Sequence, residues 1–306
     1  MSQLPAPSLP RRLPLPSFPL FFSAKVFRVP RRSRWVLGAA AAASSLWCAA
    51  APGAAPAQAI VALQPSLTEA VCVLGACERL LGIDRYSDWP ERVRALPRVG
   101  GLADADVEAI VALRPDLVLL GPRSRAADRL QALGLQVLVL EAKSHADIRA
   151  NLETVARAVG RPGAGEAQWQ RIDARLQALR AQLPPPWRGR RVYLELHGGK
   201  AAASEDSFIG ETLARLGLAN VVPARLGPFP KVSPEFVLRA DPDVLVVAAT
   251  SPAPATRPGW QALRAVREQR VCVLPAAQLD VLLRAGPRID EAAQQILHCL
   301  QALPTP

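Results

Sequence analysis

Two stretches of the sequence lie 127 positions apart and carry nearly the same pattern. Residues 107–120 have the sequence VEAIVALRPDLVLL, and residues 234–247 have the sequence PEFVLRADPDVLVV. Each copy is a short amphipathic segment followed by a Pro-Asp pair and a run of leucine and valine, which is typical of a short helix leading into a buried strand. A helix-and-strand unit repeated at this distance predicts two halves of similar fold, related by approximate twofold symmetry.

The two copies also agree in the residues that begin a helix. Asp106 and Ser233 are favourable N-cap residues, and Pro234 stands at the preferred first helical position. Glu108 and Glu235 then fall at the second position, where a carboxylate gains about 0.3 to 1 kcal/mol from the helix dipole. Helix stabilisation alone explains either acid. A matched pair, one in each half, would also fit a symmetric dimer that carries basic pockets.

Strand-like and helix-like segments alternate along the whole chain from residue 60. Short runs rich in leucine and valine are separated by amphipathic stretches, which favours strands alternating with helices and mainly parallel sheets. We therefore predict an α/β protein with two Rossmann-like lobes. The predicted strands are residues 60–63, 81–84, 116–120 and 137–140 in the first half, and 191–196, 220–222, 244–248 and 270–274 in the second.

A single long helix is predicted between the halves, at residues 163–186. Its apolar residues recur at helical spacing, and three consecutive prolines from Pro184 end it, since proline cannot continue a helix. About 20 residues at ~1.5 Å each give a rod of roughly 30 Å, long enough to cross from one small domain to another. The predicted lobes are therefore residues 60–162 and 187–306.

Residues 1–59 differ from the rest of the chain in charge and composition. They hold seven Lys or Arg and no Asp or Glu, and residues 35–51 are uncharged. With Ala57-Gln58-Ala59 at its end, this segment predicts an export signal cleaved after Ala59. A retained membrane anchor is the alternative, because the uncharged run is near the lower limit for crossing a bilayer.

The formal net charge of +11 comes mainly from that leader. The remainder of the chain holds 30 basic and 26 acidic residues. It contains no stretch in which basic and aromatic residues alternate as they do in nucleic-acid grooves. The charge therefore does not predict a nucleic-acid partner.

Four cysteines follow the leader: Cys72, Cys77, Cys272 and Cys299. Their spacing contains no C-x-x-C, so it supports neither a zinc site nor a thioredoxin-type motif. An oxidising compartment permits disulfides. Cys272 with Cys299, both in the second half, is the pair that we test first.

The motifs of common enzyme classes are absent from the sequence. We find no G-x-S-x-G, no H-E-x-x-H, no P-loop, and no G-x-G-x-x-G in a strand-to-helix turn. The three histidines are scattered and do not cluster with carboxylates, so no zinc site is predicted. We expect a protein that is not an enzyme and that has neither a catalytic cofactor nor a metal site.

Five segments of the sequence are, in order, PSLTEAVCVLGA, GIDRYSDWP, RVGGLADADVEAIVALRPDLVLL, GPFPKVSPEFVLRADPDVLVV and RAGPRI. Together they resemble the helical-backbone class of periplasmic binding proteins that serve ABC importers, and among them the cobalamin-binding members. The resemblance covers nearly everything from residue 60 to residue 300. It implies a monomeric, two-lobed periplasmic receptor that holds a metal chelate between its lobes.

The resemblance also implies a partner and gives the repeated glutamates a role. Receptors of this family deliver their ligand to an inner-membrane permease dimer with its ATPase subunits. One surface glutamate in each lobe contacts permease arginines, and the matching positions here are Glu108 and Glu235. Gene duplication without docking is the alternative explanation of the repeat.

By the same resemblance, five residues are implied to contact the ligand: Tyr86, Leu102, Phe229, Asp280 and Arg284. The implied ligand is cobalamin or a related corrinoid, whose apolar faces suit aromatic side chains and whose amides suit an acid and a base. Haem, with Tyr86 or a histidine as axial ligand, and a ferric siderophore are the alternatives. Structural roles also remain open: a capped turn at Tyr86, a hydrophobic staple at Phe229, and an i, i+4 ion pair of Asp280 with Arg284.

Overall fold

The structure, a computed structural model, describes residues 55–306, so most of the predicted export leader lies outside the described residues. Strands and helices alternate along this part of the chain. The strands are β1 (Ile60–Ala62), β2 (Leu80–Ile83), β3 (Leu117–Leu120), β4 (Gln136–Val139), β5 (Arg191–Leu196), β6 (Ala201–Ala202), β7 (Ala219–Asn220), β8 (Val244–Ala248) and β9 (Val271–Leu274). The helices are α1 (Pro65–Val73), α2 (Val107–Ala112), α3 (Ala127–Ala132), α4 (His145–Ala158), α5 (Ala164–Gln182), α6 (Phe208–Leu216), α7 (Pro234–Ala240), α8 (Arg264–Arg267), α9 (Ala276–Leu283) and α10 (Ile289–Ala302).

The strands form two sheets with the same order. In the first half the order is β2-β1-β3-β4, and every pairing is parallel. In the second half, β7, β5, β8 and β9 repeat this parallel order, and β6 adds a short antiparallel pairing to β5. The α/β fold with two Rossmann-like lobes is confirmed, and the repeated motif occupies the same place in both sheets.

The aspartates of the two Pro-Asp pairs explain part of the repeat. Asp116 accepts hydrogen bonds from the backbone amides of Gln58 and Ala59 at 2.8 and 3.1 Å, just before β1. Asp243 accepts from the amide of Arg191 at 2.9 Å, at the start of β5. Asp116 thus connects the start of β3 to the backbone just before β1, and Asp243 connects the start of β8 to the first residue of β5. The sequence pattern did not indicate this structural role.

Helices α2 and α7 begin as the two copies of the motif predict. The Asp106 carboxylate accepts from the amide of Ala109, and the Ser233 hydroxyl accepts from the amide of Phe236. Glu108 and Glu235 lie in the first turn of these helices, and both are exposed. The predicted caps are confirmed.

Helix α5 joins the two lobes, but it is not a free rod. Its apolar side chains, among them Trp169, Ile172 and Leu176, are buried in one core. That core also contains Ile148 and Leu152 of α4 from the first half, together with the inner residues of the second sheet. Because both halves share this core, α5 is held along its length.

Two disulfides tie the described chain. Cys272 of β9 is bonded to Cys299 of α10, which confirms the first candidate pair. Cys72 of α1 is bonded to Cys77, a pairing that we did not predict. The first bond fastens the last strand to the last helix, and the second fastens the end of α1 to the turn that follows it.

Candidate functional site

The turn that carries Tyr86 follows β2 and is hydrogen-bonded to the buried carboxylate of Asp84. The Asp84 carboxylate accepts from the amide of Tyr86 at 2.7 Å and from the hydroxyl of Ser87. Ser87 Oγ also lies 2.8 Å from the Thr68 hydroxyl. Burial raises the pKa of Asp84 above its ordinary value, although these hydrogen bonds act in the opposite direction. The backbone of the turn is therefore fixed, while the Tyr86 side chain stays exposed, with 54% of its surface accessible.

The loop that carries Leu102 lies beside this turn. The amide of Arg85 donates to the carbonyl of Gly100 at 2.8 Å, and the Arg85 side chain forms an ion pair with Asp104 at 2.6 Å. Leu102 is half-buried within this loop. Two of the predicted ligand residues of the first half therefore lie on adjoining loops.

Arg284 comes from the second half and reaches the first. It follows α9, and its Nη1 lies 2.8 Å from Glu69 Oε1 and 2.8 Å from Asp88 Oδ1. Its Nη2 donates to the carbonyl oxygen of Tyr86 at 3.1 Å. The side chain is only 10% exposed. The turn that follows β2 and the segment that follows α9 therefore meet here, and Arg284 joins them.

Glu69 is a functional candidate that the sequence analysis missed. It lies on α1, its side chain is 1% exposed, and its Oε1 is shared by Arg284 and by Arg288 Nη1 at 3.4 Å. Burial raises the pKa of its carboxyl, while the two guanidinium groups oppose that shift. The available signal was a single acid inside the apolar segment PSLTEAVCV, because a charge in such a segment is costly unless it has a partner.

Asp280 behaves differently from Arg284, four residues later. It lies on α9 and is exposed. Among residues 55–306, the side-chain partners of Arg284 all belong to the first half, so the i, i+4 ion pair is not formed. The Asp280 carboxylate remains accessible to solvent beside the junction of the two halves.

Phe229 lies in the second half on a loop held against β6. The carbonyls of its neighbours Pro228 and Pro230 accept from the amides of Ser204 and Ala202 at 3.1 and 3.0 Å. Its ring meets that of Phe208 edge to face, with the centroids 5.8 Å apart, and 39% of the residue is exposed. The residue therefore presents an apolar surface that is only partly used by the fold.

A buried ion pair lies near the carboxyl end of β5. Glu195 is fully buried, and Arg257, from the loop after β8, donates to it with two nitrogens. The guanidinium also stacks over Trp260 at 4.4 Å from the ring centroid. This pair fixes the loop after β8, and the sequence pattern did not indicate it.

The two repeated glutamates lie outside this group of residues. Glu108 forms an ion pair with Arg129 of α3 in which both side chains are more than 60% exposed. Glu235 is held at the start of α7, where its own amide and the Ser233 hydroxyl keep the pKa of its carboxyl below the ordinary value. Both acids are available to a partner, as a docking role requires.

Among the side chains that the structure describes in residues 55–306, no group of three or more histidine, cysteine, aspartate or glutamate residues could hold a metal ion. No helix between residues 55 and 306 is long and apolar enough to cross a membrane.

Two lobes, each built on a parallel α/β sheet, define a class of ligand-binding proteins in which small molecules bind outside the carboxyl ends of the strands. The family model described as periplasmic binding protein matches residues 60–278, so the chain belongs to the periplasmic binding protein family. Members of this family are solute-binding proteins of ABC transport rather than enzymes, and they work with permeases and ATPases.

Individual proteins similar to this chain include receptors for two kinds of ligand. The vitamin B12-binding protein of Yersinia pestis (strain Pestoides F) is 29% identical over 262 residues, covering 82% of this chain and 90% of that protein. The crystal structure of the vitamin B12 binding protein BtuF of Vibrio cholerae has a TM-score of 0.66 and 28% identity, covering 81% of this chain and 98% of BtuF. The heme-binding protein BhuT, solved with two hemes, has a TM-score of 0.67 and 27% identity, covering 81% of this chain and 99% of BhuT.

Proposed function

We propose that this protein captures cobalamin or a related corrinoid between its two lobes and delivers it to the permease of an ABC importer. The observation that carries the proposal is the contact between the two lobes at Tyr86. The Tyr86 side chain is exposed on a fixed turn, and Arg284 of the other lobe donates a hydrogen bond to the backbone of that turn. The similarity to vitamin B12-binding proteins over most of the chain supports the choice of ligand.

The exposed side chains suit a large chelate with apolar faces and amide edges. Tyr86 and Phe229 offer aromatic surface, and Leu102 offers aliphatic surface, which would remove the faces of the ring from water. Asp280 can accept hydrogen bonds from peripheral amides. Arg284 has most of its donors occupied by the first lobe, so its principal contribution is to hold the Tyr86 turn in place.

Haem is the second candidate, and one observation favours it. The Tyr86 phenol is exposed on a fixed turn, and a tyrosine can serve as an axial ligand of haem iron. The similarity to a heme-binding protein, at nearly the same identity as to the vitamin B12-binding proteins, adds to this alternative. A ferric siderophore remains a third possibility for the same site.

Calorimetric titration of the mature protein with cyanocobalamin, haemin and a ferric siderophore tests the proposal. We expect tight binding of cyanocobalamin alone. The variants Tyr86→Ala and Phe229→Ala should each weaken it. Leu133→Ala, which removes an apolar side chain as exposed as that of Tyr86 just after α3, should not. If the protein binds haemin tightly and does not bind cyanocobalamin, the proposed ligand is wrong and haem takes its place.

We also propose export to the periplasm, with a cleavage site upstream of Ala57 rather than after Ala59. The amide of Ala57 donates to the carbonyl of Ala158 at 2.9 Å, and its carbonyl accepts from Arg79 at 2.9 Å. Residues 58 and 59 are held by Asp116. Cleavage after Ala59 would remove all these bonds, so N-terminal sequencing of the exported protein should show residues 57–59 retained.

A further inference from the structure

The segment that runs from Arg284 to Arg288 is the place where the second lobe rests on α1 and on the Tyr86 turn. Arg284 contacts Glu69, Asp88 and the Tyr86 carbonyl, and Arg288 contacts Glu69 as well. Arg288 also lies over the Trp89 ring, 4.7 Å from its centroid. One segment of the second lobe is thus bound to two separate elements of the first.

The charges at this junction are removed from water. The side chains of Arg284 and Arg288 are 10% and 14% exposed, and that of Glu69 is 1% exposed. The second carboxylate oxygen of Glu69 is buried without a hydrogen-bond partner among residues 55–306. A buried carboxylate between two guanidinium groups is tolerated only while both remain close, because separating them would leave an uncompensated buried charge. The junction therefore favours a single distance between the two lobes rather than a continuous range of distances.

Backbone packing sets the spacing between the same two elements. Gly286 lies in the middle of the segment, and a Cβ atom added there would fall 2.8 Å from Ser66 Cβ and 3.2 Å from Ser66 Cα. A contact this close involves the first turn of α1 itself, which cannot move aside as the end of a long side chain can. The glycine thus allows a close approach that the ion pairs then hold.

We propose that Glu69 is the positioning residue of an interlobe latch, formed with Arg284, Gly286 and Arg288, that sets the width of the ligand cleft. Glu69 does not touch the ligand. It acts through the arginines, one of which also holds the Tyr86 turn. The effect on ligand affinity rests on the proposed function, whereas the effect on lobe spacing does not.

The test uses Glu69→Gln, which removes the charge and keeps the shape, and Glu291→Gln as its matched control. Glu291 accepts from the same Arg288 at 2.7 Å, but it lies on α10 in the second lobe, so its loss leaves the interlobe contacts intact. Spin labels at Leu133→Cys and Leu226→Cys, exposed positions in the two lobes, report the interlobe distance without any ligand. The native cysteines of the described chain are paired and do not compete for label.

We expect a narrow distance distribution for the unsubstituted latch and for Glu291→Gln, and a shifted or broadened one for Glu69→Gln. Affinity for cyanocobalamin should fall by roughly tenfold or more in Glu69→Gln only, a size typical of coupling between sites. An unchanged distance distribution in Glu69→Gln would overturn the latch. Failure of the unsubstituted protein to bind cyanocobalamin would instead overturn the proposed function, while the distance measurement would still decide the latch.

A second variant keeps the test decisive if Glu69→Gln does not fold. Gly286→Ala leaves every charge in place and adds one methyl group against Ser66. We expect it to shift the interlobe distance and to weaken cyanocobalamin binding. A folded Gly286→Ala protein with unchanged spacing would contradict the proposal.

Discussion

Arg284 donates a hydrogen bond of 3.1 Å to the backbone carbonyl oxygen of Tyr86, 198 positions earlier in the chain. The bond connects two residues that a resemblance had assigned to one ligand site, and it joins them directly rather than through a ligand. Neighbouring Asp280 makes no comparable contact with Arg284 among the described residues and stays exposed. The acid and the base four residues apart therefore have different structural roles.

This difference predicts different effects of replacing the two residues. Arg284→Met leaves the buried Glu69 carboxylate with one guanidinium fewer, and we expect the free energy of unfolding to fall by about 3 to 5 kcal/mol. Asp280→Asn should change it by less than about 0.5 kcal/mol, as an exposed substitution normally does. Urea unfolding measures both. If Asp280 contacts the ligand, Asp280→Asn should still weaken binding of cyanocobalamin in titration calorimetry.

His145 predicts a pH dependence of stability. Its ring lies at the contact of the two lobes, 2.9 Å from the Thr212 hydroxyl and edge to face with Trp169, and burial, followed by the charge of Arg215, lowers its pKa to about 4. The hydrogen bond to the Phe208 carbonyl and the charge of Asp173 on α5 act on this pKa in the opposite direction, and Glu211 of α6 lies 3.8 Å from His145 Nδ1. Because the unfolded chain binds the proton more tightly, the stabilisation is full above pH 6.5 and is lost as the pH falls towards 4.

The expected loss across this range is about 3 kcal/mol for a shift of this size. Urea unfolding at pH 7 and at pH 4.5 measures it. His145→Gln should remove this part of the pH dependence, whereas His298→Gln, at an exposed position on α10, should leave it unchanged. Equal pH dependence in the unsubstituted protein and in His145→Gln would show that other groups are responsible.

The two disulfides should contribute unequally to stability. The Cys272–Cys299 bond closes a loop with a sequence separation of 27, and the Cys72–Cys77 bond one of 5. Because closing a longer loop removes more conformational entropy from the unfolded state, we expect double alanine replacement to cost about 3.5 kcal/mol for the first pair and about 2 kcal/mol for the second. Peptide mapping without reductant tests the pairing, and thermal unfolding of the two double variants tests the order.

Replacement of Glu108 and Glu235 separates docking from helix stabilisation. If both contact permease arginines, the double alanine variant should bind ligand normally but fail in uptake, at a cost of about 2 to 5 kcal/mol for each contact that is desolvated. Lysine at both positions should be worse than alanine. Asp128→Ala is the control, because Asp128 is an exposed acid in the first turn of α3. If a folded Glu108→Ala/Glu235→Ala protein supports normal uptake, the docking role is wrong, and gene duplication with helix stabilisation explains the repeat.

Arg129 offers a related test in the first lobe only. It forms an ion pair with Glu108, so a permease arginine must displace or share it. Arg129→Ala should therefore strengthen binding to the permease slightly, and the exposed pair should matter little for stability.

Local features of this protein could be derived from its sequence. Apart from β6, the strands fall within a residue or two of the predicted runs, because a buried parallel strand is a short continuous run of apolar neighbouring residues. The caps at Asp106 and Ser233 were predictable for the same reason, since a capping side chain bonds to an amide three residues away. The twofold repeat likewise followed from comparing the chain with itself.

Tertiary structure alone decided how the site is assembled. Glu69 meets Arg284 across 215 positions, and no periodicity in either segment encodes that meeting, because it depends on how two sheets and α5 are packed. The sequence showed an acid in an apolar helix and an arginine near a proline. Only the fold removes both from water and brings them within 2.8 Å, where each charge becomes necessary to the other.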